Sequence, residues 1–253
     1  MSYRTILLTG ATGKFGRIFT RHFLELGNVV VAVGRSPQGF DMLLSDSPSH
    51  EERIFFIQVD LAEETAAKMI STKLSEQNLY PDALINNARN LDYLQVEETG
   101  MVKRSNFLAE YTLDVVAPYE LTMALAIARN SQLRTVVNIG SQYGSVAANL
   151  NLYENSSQSS GLHYGVAKAA LEQLTRELAI RLAGRSIRVN CVAFGGVEGR
   201  VDEDFKKRYA FLCPSGRMLY ENEIVGPVEL LLSDKCSAIT GHILAADGGW
   251  TAW

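Results

Sequence analysis

Seven short apolar runs punctuate the chain, and between them apolar residues recur at three- and four-residue intervals. The runs Thr5–Leu8, Val29–Val33, Ile54–Val59, Ala83–Ile85, Thr135–Ile139, Ile187–Val192 and His242–Ala245 are continuous rather than alternating. Continuous apolar runs are the mark of strands covered on both faces, as in a parallel sheet. Helices are predicted between them at roughly Lys14–Leu26, Glu63–Ser75, Asn106–Arg129, His163–Ala183 and Glu221–Leu232. Strand-helix alternation with right-handed crossovers predicts an α/β protein built on a doubly wound, seven-stranded parallel sheet with helices on both faces. Ser36–His50, rich in Ser, Pro and Asp, reads as a loop with one helical turn. Gly195–Arg217, with its glycines and charges, reads as a mobile flap. No repeat or low-complexity linker divides residues 1–253, so one domain is expected.

Composition narrows the classes of partner. Apolar residues make up 47% and charged residues 21% of the chain, with a net charge of −4. That balance gives no reason to expect nucleic acid or an anionic membrane as partner. No apolar run approaches the ~18 residues needed to span a bilayer, and the opening Met1–Leu8 reads as a strand without a signal-peptide cleavage site. Cys191, Cys213 and Cys236 are odd in number and widely spaced. Neither a disulfide scaffold nor a metal site is expected from them, and a reduced, cytoplasmic setting fits best.

The first strand runs into Thr9-Gly10-Ala11-Thr12-Gly13-Lys14-Phe15-Gly16. Gly10, Gly13 and Gly16 permit a tight strand-helix turn and let a pyrophosphate approach the free N–H groups at the helix N-terminus. Opening a seven-strand pattern, the turn marks a Rossmann-type dinucleotide site rather than glycine used as punctuation. An NAD site usually places an acid at the end of the second strand. Here that strand ends in Gly34-Arg35-Ser36, with no acid until Asp41. Arg35 can fork onto a ribose 2′-phosphate, and Ser36 adds a hydroxyl. NADP(H) is therefore favoured, with NAD(H) as the alternative, and Lys14 adds positive charge near the phosphates. Asp60, after the third strand, could meet the adenine amine or cap the following helix.

Tyr164 and Lys168 stand four positions apart, on one face of a predicted helix. A phenol is a poor base at neutral pH, and a neighbouring ammonium favours its phenolate and so fits it for general acid-base work. Lys168 could also hold the hydroxyls of a nicotinamide ribose. Ser141 follows the fifth strand at its C-terminal end, where open sheets bind ligands, so its hydroxyl can hold a carbonyl or alcohol. Tyr143 is a rival phenol, but no lysine lies one turn beyond it. It is assigned to substrate packing.

With the glycine turn, Asn86-Asn87-Ala88, Ser141, Tyr164-x-x-x-Lys168, Ile187-Arg188-Val189-Asn190 and the stretch from Ile239-Thr240-Gly241 to Asp247-Gly248-Gly249, the chain resembles the single-domain short-chain dehydrogenase/reductase family over essentially its whole length. The resemblance implies hydride transfer between a nicotinamide ring and a carbonyl or secondary alcohol. Tyr164 would exchange the proton, Lys168 would assist it, and Ser141 would orient the substrate oxygen. It also implies cofactor contacts at Gly10, Thr12, Gly13, Lys14, Phe15, Gly16, Arg35, Ser36, Asp60, Leu61, Asn87, Ala88, Tyr164, Lys168, Gly195 and Val197. A small-molecule substrate and a homo-oligomer, tetramer or dimer, are implied as well.

Several positions depart from the family pattern. The glycine spacing is nearer that of the sugar-nucleotide-modifying branch. Arg89 stands where a glycine normally follows Asn-Asn-Ala, and Phe194-Gly195 replaces a Pro-Gly turn. A threonine that often meets the carboxamide is replaced by Gly199. Asp114 aligns with the asparagine that holds a proton-relay water, which makes it a catalytic candidate. Ser141 and Tyr164 lie 23 positions apart, more than in most single-domain members. The extra segment around Asn149–Asn155 should hang over the substrate side. With Arg89-Asn90 and the Ser141-Gln142-Tyr143-Gly144 turn, this insertion, which carries Tyr153, is similar to a subgroup tied to bacterial surface-sugar and flagellin-glycan biosynthesis. Arg89 and the amides suit a hydroxylated, phosphorylated or nucleotide-linked substrate better than a steroid or acyl chain. Two other readings stay open: a dinucleotide-binding regulator or scaffold with little catalysis, and a sugar epimerase or dehydratase that retains its cofactor.

Overall fold

The computed structural model describes residues 3–154, 159–199 and 201–253. Seven parallel strands form one sheet in the order β3-β2-β1-β4-β5-β6-β7. They are β1 Thr5–Thr9, β2 Val29–Gly34, β3 Ile54–Gln58, β4 Ala83–Asn86, β5 Thr135–Ser141, β6 Arg188–Phe194 and β7 Ile243–Ala246. The helices are α1 Lys14–Glu25, α2 Pro37–Ser45, α3 Ala66–Glu76, α4 Arg104–Tyr111, α5 Ala117–Ile127, α6 Gln142–Ser145, α7 Leu162–Leu182, α8 Glu203–Leu212 and α9 Val225–Leu232.

Alternate residues of each strand feed opposite faces. In β1, Leu7 joins a core with α3, α5 and α7, whereas Ile6 and Leu8 join one with α1, α2 and α9. Both faces are apolar, so the strand patterns are unbroken, as the sequence predicts. A third, smaller cluster gathers Leu152, Tyr209, Cys213, Met218 and Trp250 beside the strand tips.

Two regions differ from expectation. Ser36–His50 is not a loop with a single turn: Ser36 Oγ accepts a hydrogen bond from Gly39 N at 3.0 Å and starts the nine-residue α2. Pro37 at the first helical position and a seated Leu43 complete the signal. Gly195–Arg217 is not an unstructured flap either. Asp202 caps α8 through Phe205 N at 2.7 Å, and Tyr209 anchors that helix in the small cluster.

The long helix predicted over Asn106–Arg129 is also interrupted. Thr112–Val116 forms a turn of π-helix between α4 and α5, and such single turns commonly accompany functional sites.

Candidate active site

All strands end on one edge of the sheet, and the winding direction reverses between β1 and β4. Open parallel sheets bind ligands at such a switch point, and a cleft of about 620 Å³ opens there. The tips of six strands reach it through Gly10, Arg35, Asp60, Asn87, Ser141 and Gly195.

The glycine turn forms its floor. Gly10 has φ +63°, and a Cβ on it would fall 2.7 Å from Ala88 Cα. No side chain caps the N-terminus of α1 at Gly13, which leaves the helix N–H groups open to an anion. Thr12, Lys14 and Phe15 line the same wall. The turn is pinned from β4: Asn87 Nδ2 donates to Thr9 O at 3.0 Å and Gly10 O at 3.2 Å. Gly16, expected against the cofactor, is not in the cleft lining. A Cβ there would lie 2.1 Å from Gly10 O, so this glycine keeps α1 pressed against the turn.

At the adenosine end, Arg35 Nη1 lies 3.7 Å from Asp60 Oδ2, with the Arg35 side chain about half exposed. Asp60 Oδ1 accepts from Ala62 N at 3.0 Å. Asp60 therefore closes a local turn and does not cap α3, whose N-cap is Thr65, and Leu61 lines the cleft beside it. Ser36 faces the cleft while capping α2. Lys14 is committed elsewhere than expected: its ammonium bonds Glu198 O and pairs with Glu221 Oε1 at 2.9 Å. It thereby ties the glycine turn to the segment carrying Val197, which also lines the cleft.

Ser141, Tyr164 and Lys168 converge on the cleft. Ser141 ends β5, and its Oγ accepts from Tyr143 N at 3.2 Å, which starts the short α6. That helix lies directly on α7, where a Cβ on Gly165 would meet Tyr143 O at 3.0 Å. Gly165 therefore lets the serine approach the Tyr164–Lys168 turn. Lys168 is buried, with Nζ 3.0 Å from Ile139 O and 3.0 Å from Asp114 Oδ2. Burial works against its charge, but the negative charge of Asp114 and the Tyr164 phenol outweigh that, so it stands above its ordinary value. The Tyr164 ring lies between two cations: Lys168 Nζ is 5.7 Å and Arg89 Cζ 4.5 Å from its centroid.

Asp114 was expected among the catalytic groups. It lies behind Lys168 on the π-turn, buried and outside the cleft lining. A second, small cavity touches Asp114, Lys168, Asn86 and Thr9.

On the substrate side, Tyr143 Oη lies 3.3 Å from Tyr153 Oη, and both rings line the cleft. Burial, reinforced by Tyr153, pushes Tyr143 far above the ordinary phenol range, which makes it a poor proton-transfer group. The Asn149–Asn155 segment reaches the cleft at Tyr153, while Leu152 is buried beside α8. Asn155 lies outside the described residues. Arg89 lines the cleft too.

Sequence reading missed two groups. Tyr209 Oη donates to Gln142 Oε1 at 3.0 Å and accepts from Gly196 N at 2.9 Å, with its ring stacked on Trp250. Nothing local to Tyr209 announced this contact between distant segments. Glu110 is 1% exposed. Burial first, then the charge of Asp114, push its carboxyl up to about 7, against the pull of Lys168 and Arg89. Its signal was legible: an acid one helical turn before Asp114, on the face that packs inward.

A dinucleotide cradle with a serine, a tyrosine and a lysine at its rim defines a nicotinamide-dependent oxidoreductase. A family model described as Enoyl-(Acyl carrier protein) reductase matches residues 10–251. The chain belongs to the short-chain dehydrogenase/reductase family and is an NAD(P)-binding oxidoreductase of that type. It is similar to an uncharacterized oxidoreductase of Schizosaccharomyces pombe, at 32% identity over 98% of this chain and 91% of that one. It is also similar, at 23% identity over 98% of both chains, to post-translational flagellin modification protein A of Campylobacter coli. Among solved structures, a short-chain dehydrogenase from Leptospira borgpetersenii with bound NAD+ matches with a TM-score of 0.85. Its sequence is 26% identical, over 99% of this chain and 94% of that one.

Proposed function

We propose that this protein passes hydride between NADP(H) and a carbonyl or secondary alcohol on a polar, sugar-derived substrate. The contact that supports it most is the Arg89 guanidinium, 4.5 Å over the Tyr164 ring and facing the cleft. It puts a cation beside the phenol, where a phosphate, carboxylate or nucleotide-linked sugar would be held more firmly than an acyl chain. Similarity to a flagellin modification protein points the same way.

Bound nicotinamide supplies or accepts the hydride. The pyrophosphate would rest on the N–H groups of the Gly10–Phe15 turn, and Arg35 with Ser36 would meet a ribose 2′-phosphate. In reduction, Tyr164 gives its hydroxyl proton to the carbonyl oxygen while Ser141 holds that oxygen by a hydrogen bond. The Lys168 ammonium stabilises the phenolate left behind. Asp114 acts at one remove, by fixing Lys168 at 3.0 Å. Tyr143 and Tyr153 pack against the substrate ring.

The test is turnover of NADPH with a panel of keto-sugars, neutral and anionic, set against the variant Tyr164→Phe. Activity in the wild type and its loss by at least ~100-fold in the variant is the expected result, with NADPH binding retained. Turnover persisting in Tyr164→Phe would refute the mechanism.

A further inference from the structure

On the substrate side of the cleft, three phenols and one amide are joined in a single hydrogen-bonded chain. Gly196 N donates to Tyr209 Oη at 2.9 Å, and Tyr209 Oη donates to Gln142 Oε1 at 3.0 Å. The Gln142 side chain also hydrogen-bonds the Tyr143 phenol, whose Oη lies 3.3 Å from Tyr153 Oη. All four side chains line the cleft.

The chain has a direction. A backbone N–H only donates, and an amide oxygen only accepts. Tyr209 therefore receives from Gly196 and gives its own proton to Gln142. With the Gln142 carbonyl engaged, the remaining NH2 end can only donate, so Tyr143 accepts from it. The Tyr143 proton then goes to the Tyr153 oxygen. Among the described residues the chain ends there, with one proton left on Tyr153 Oη. Successive bonds of this kind polarise one another, which strengthens the last hydroxyl as a donor.

Tyr153 is held in place on both sides. Arg208 Nε, on α8, donates to Leu152 O at 2.8 Å, and its Nη1 lies 3.4 Å from Glu154 Oε1. Leu152 is buried in the cluster with Tyr209 and Trp250. The Tyr153 ring stands edge-on to Phe205, with centroids 5.7 Å apart. Its partner Tyr143 belongs to the turn of the catalytic serine, since Tyr143 N donates to Ser141 Oγ at 3.2 Å.

A neutral hydroxyl in an open cleft is served by water until a ligand displaces it. An alkyl carbon seated against it would remove that water and leave the donor unpaired, whereas an oxygen would replace the bond. We infer that the Tyr143–Tyr153 pair is a specificity subsite for a second, neutral oxygen of the substrate, a hydroxyl or ring oxygen distinct from the carbonyl that reacts. This subsite rests on the carbonyl reduction proposed above and narrows its substrates to molecules that carry such an oxygen. Arg89 is left to meet any charge.

The three positional isomers of hydroxycyclohexanone, set against cyclohexanone, test this with neutral probes. Two quantities are compared for each ketone: kcat/KM with reduced nucleotide, and affinity for protein loaded with NADP+ or NAD+, read by ligand-observed NMR. Wild type should favour at least one hydroxyketone over cyclohexanone by ~10-fold, the worth of a hydrogen bond whose loss strands a donor. In Tyr153→Phe, which keeps the ring, that ratio should fall to about one. A ratio near one in wild type, or a preference that survives in Tyr153→Phe, would overturn the subsite. Should Tyr153→Phe not fold, Tyr143→Phe decides instead: it breaks the pair, and an undiminished preference there overturns the subsite equally. Turnover surviving in Tyr164→Phe defeats the reduction mechanism itself. A ratio near one beside an inactive Tyr164→Phe defeats only the subsite.

Discussion

Arg35 and Asp60 show how one pair of side chains can hold two uses. They lie 3.7 Å apart at the adenosine end, where the half-exposed pair is screened by solvent and worth little to stability. Arg35 is consequently available to exchange its carboxylate for a 2′-phosphate, a stronger bidentate partner. Replacing Arg35 with Ala should weaken NADPH binding by ~10–100-fold, the equivalent of one charge-assisted contact, and leave NADH nearly unchanged. Titration calorimetry with both nucleotides measures it. Equal affinities in wild type and variant would remove the basis for an NADP(H) preference. Residue identity made this site legible, and so did the Tyr164–Lys168 spacing. The ion pair with Asp60 and the Arg89 stack were not, because each joins segments far apart in the sequence.

At the scale of elements, close packing and buried charge decide. Gly16 sits where α1 meets its own turn, and the Gly16→Ala methyl would lie 2.1 Å from a carbonyl oxygen. Overpacking of this kind costs about 1–3 kcal/mol, so thermal melting of Gly16→Ala should fall by about 3–10 °C. An unchanged melting temperature would show that α1 has room to shift. The α4–π–α5 run carries a second test. Glu110 has a folded value of about 7 against 4.5 for the unfolded chain, so the native state binds the extra proton between those limits. Its contribution is complete below the unfolded value and declines as the pH rises through the folded one. The loss is on the order of 3 kcal/mol. Denaturant titrations at acidic and alkaline pH should show this decline in wild type and a flatter profile in Glu110→Gln. Equal slopes would mean Glu110 binds its proton no more tightly in the folded state than in the unfolded chain. The two segments read as loop and flap became α2 and α8 because single anchors, Leu43 and Tyr209, are buried by distant parts of the chain. A local window cannot contain such partners.

At the scale of the whole molecule, helices α4, α5 and α7 leave large apolar side chains uncovered, among them Leu108, Tyr119, Val166 and Ile180. Exposed apolar surface of this kind favours self-association. We propose a homo-oligomer through these helices, as the family resemblance suggests. Light scattering should give a dimer or tetramer of the 27.9 kDa chain, and Leu108→Glu should reduce the mass. A monomer in wild type would exclude this arrangement. No helix among the described residues is long and apolar enough to cross a membrane.

The parallel sheet, the glycine cradle and the tyrosine-lysine pair were determined by sequence alone. Each depends on a period or spacing contained within one or two neighbouring elements. Tertiary structure alone decided that Asp114 stands behind Lys168, that Lys14 is tied to Glu198 and Glu221, that Tyr209 links α8 to Gln142, and that Glu110 is buried with no hydrogen-bond partner among the described residues. The physical reason is common to all four. Burial and electrostatic environment are set by segments far apart in the chain, and they exist only once the sheet has brought those segments together.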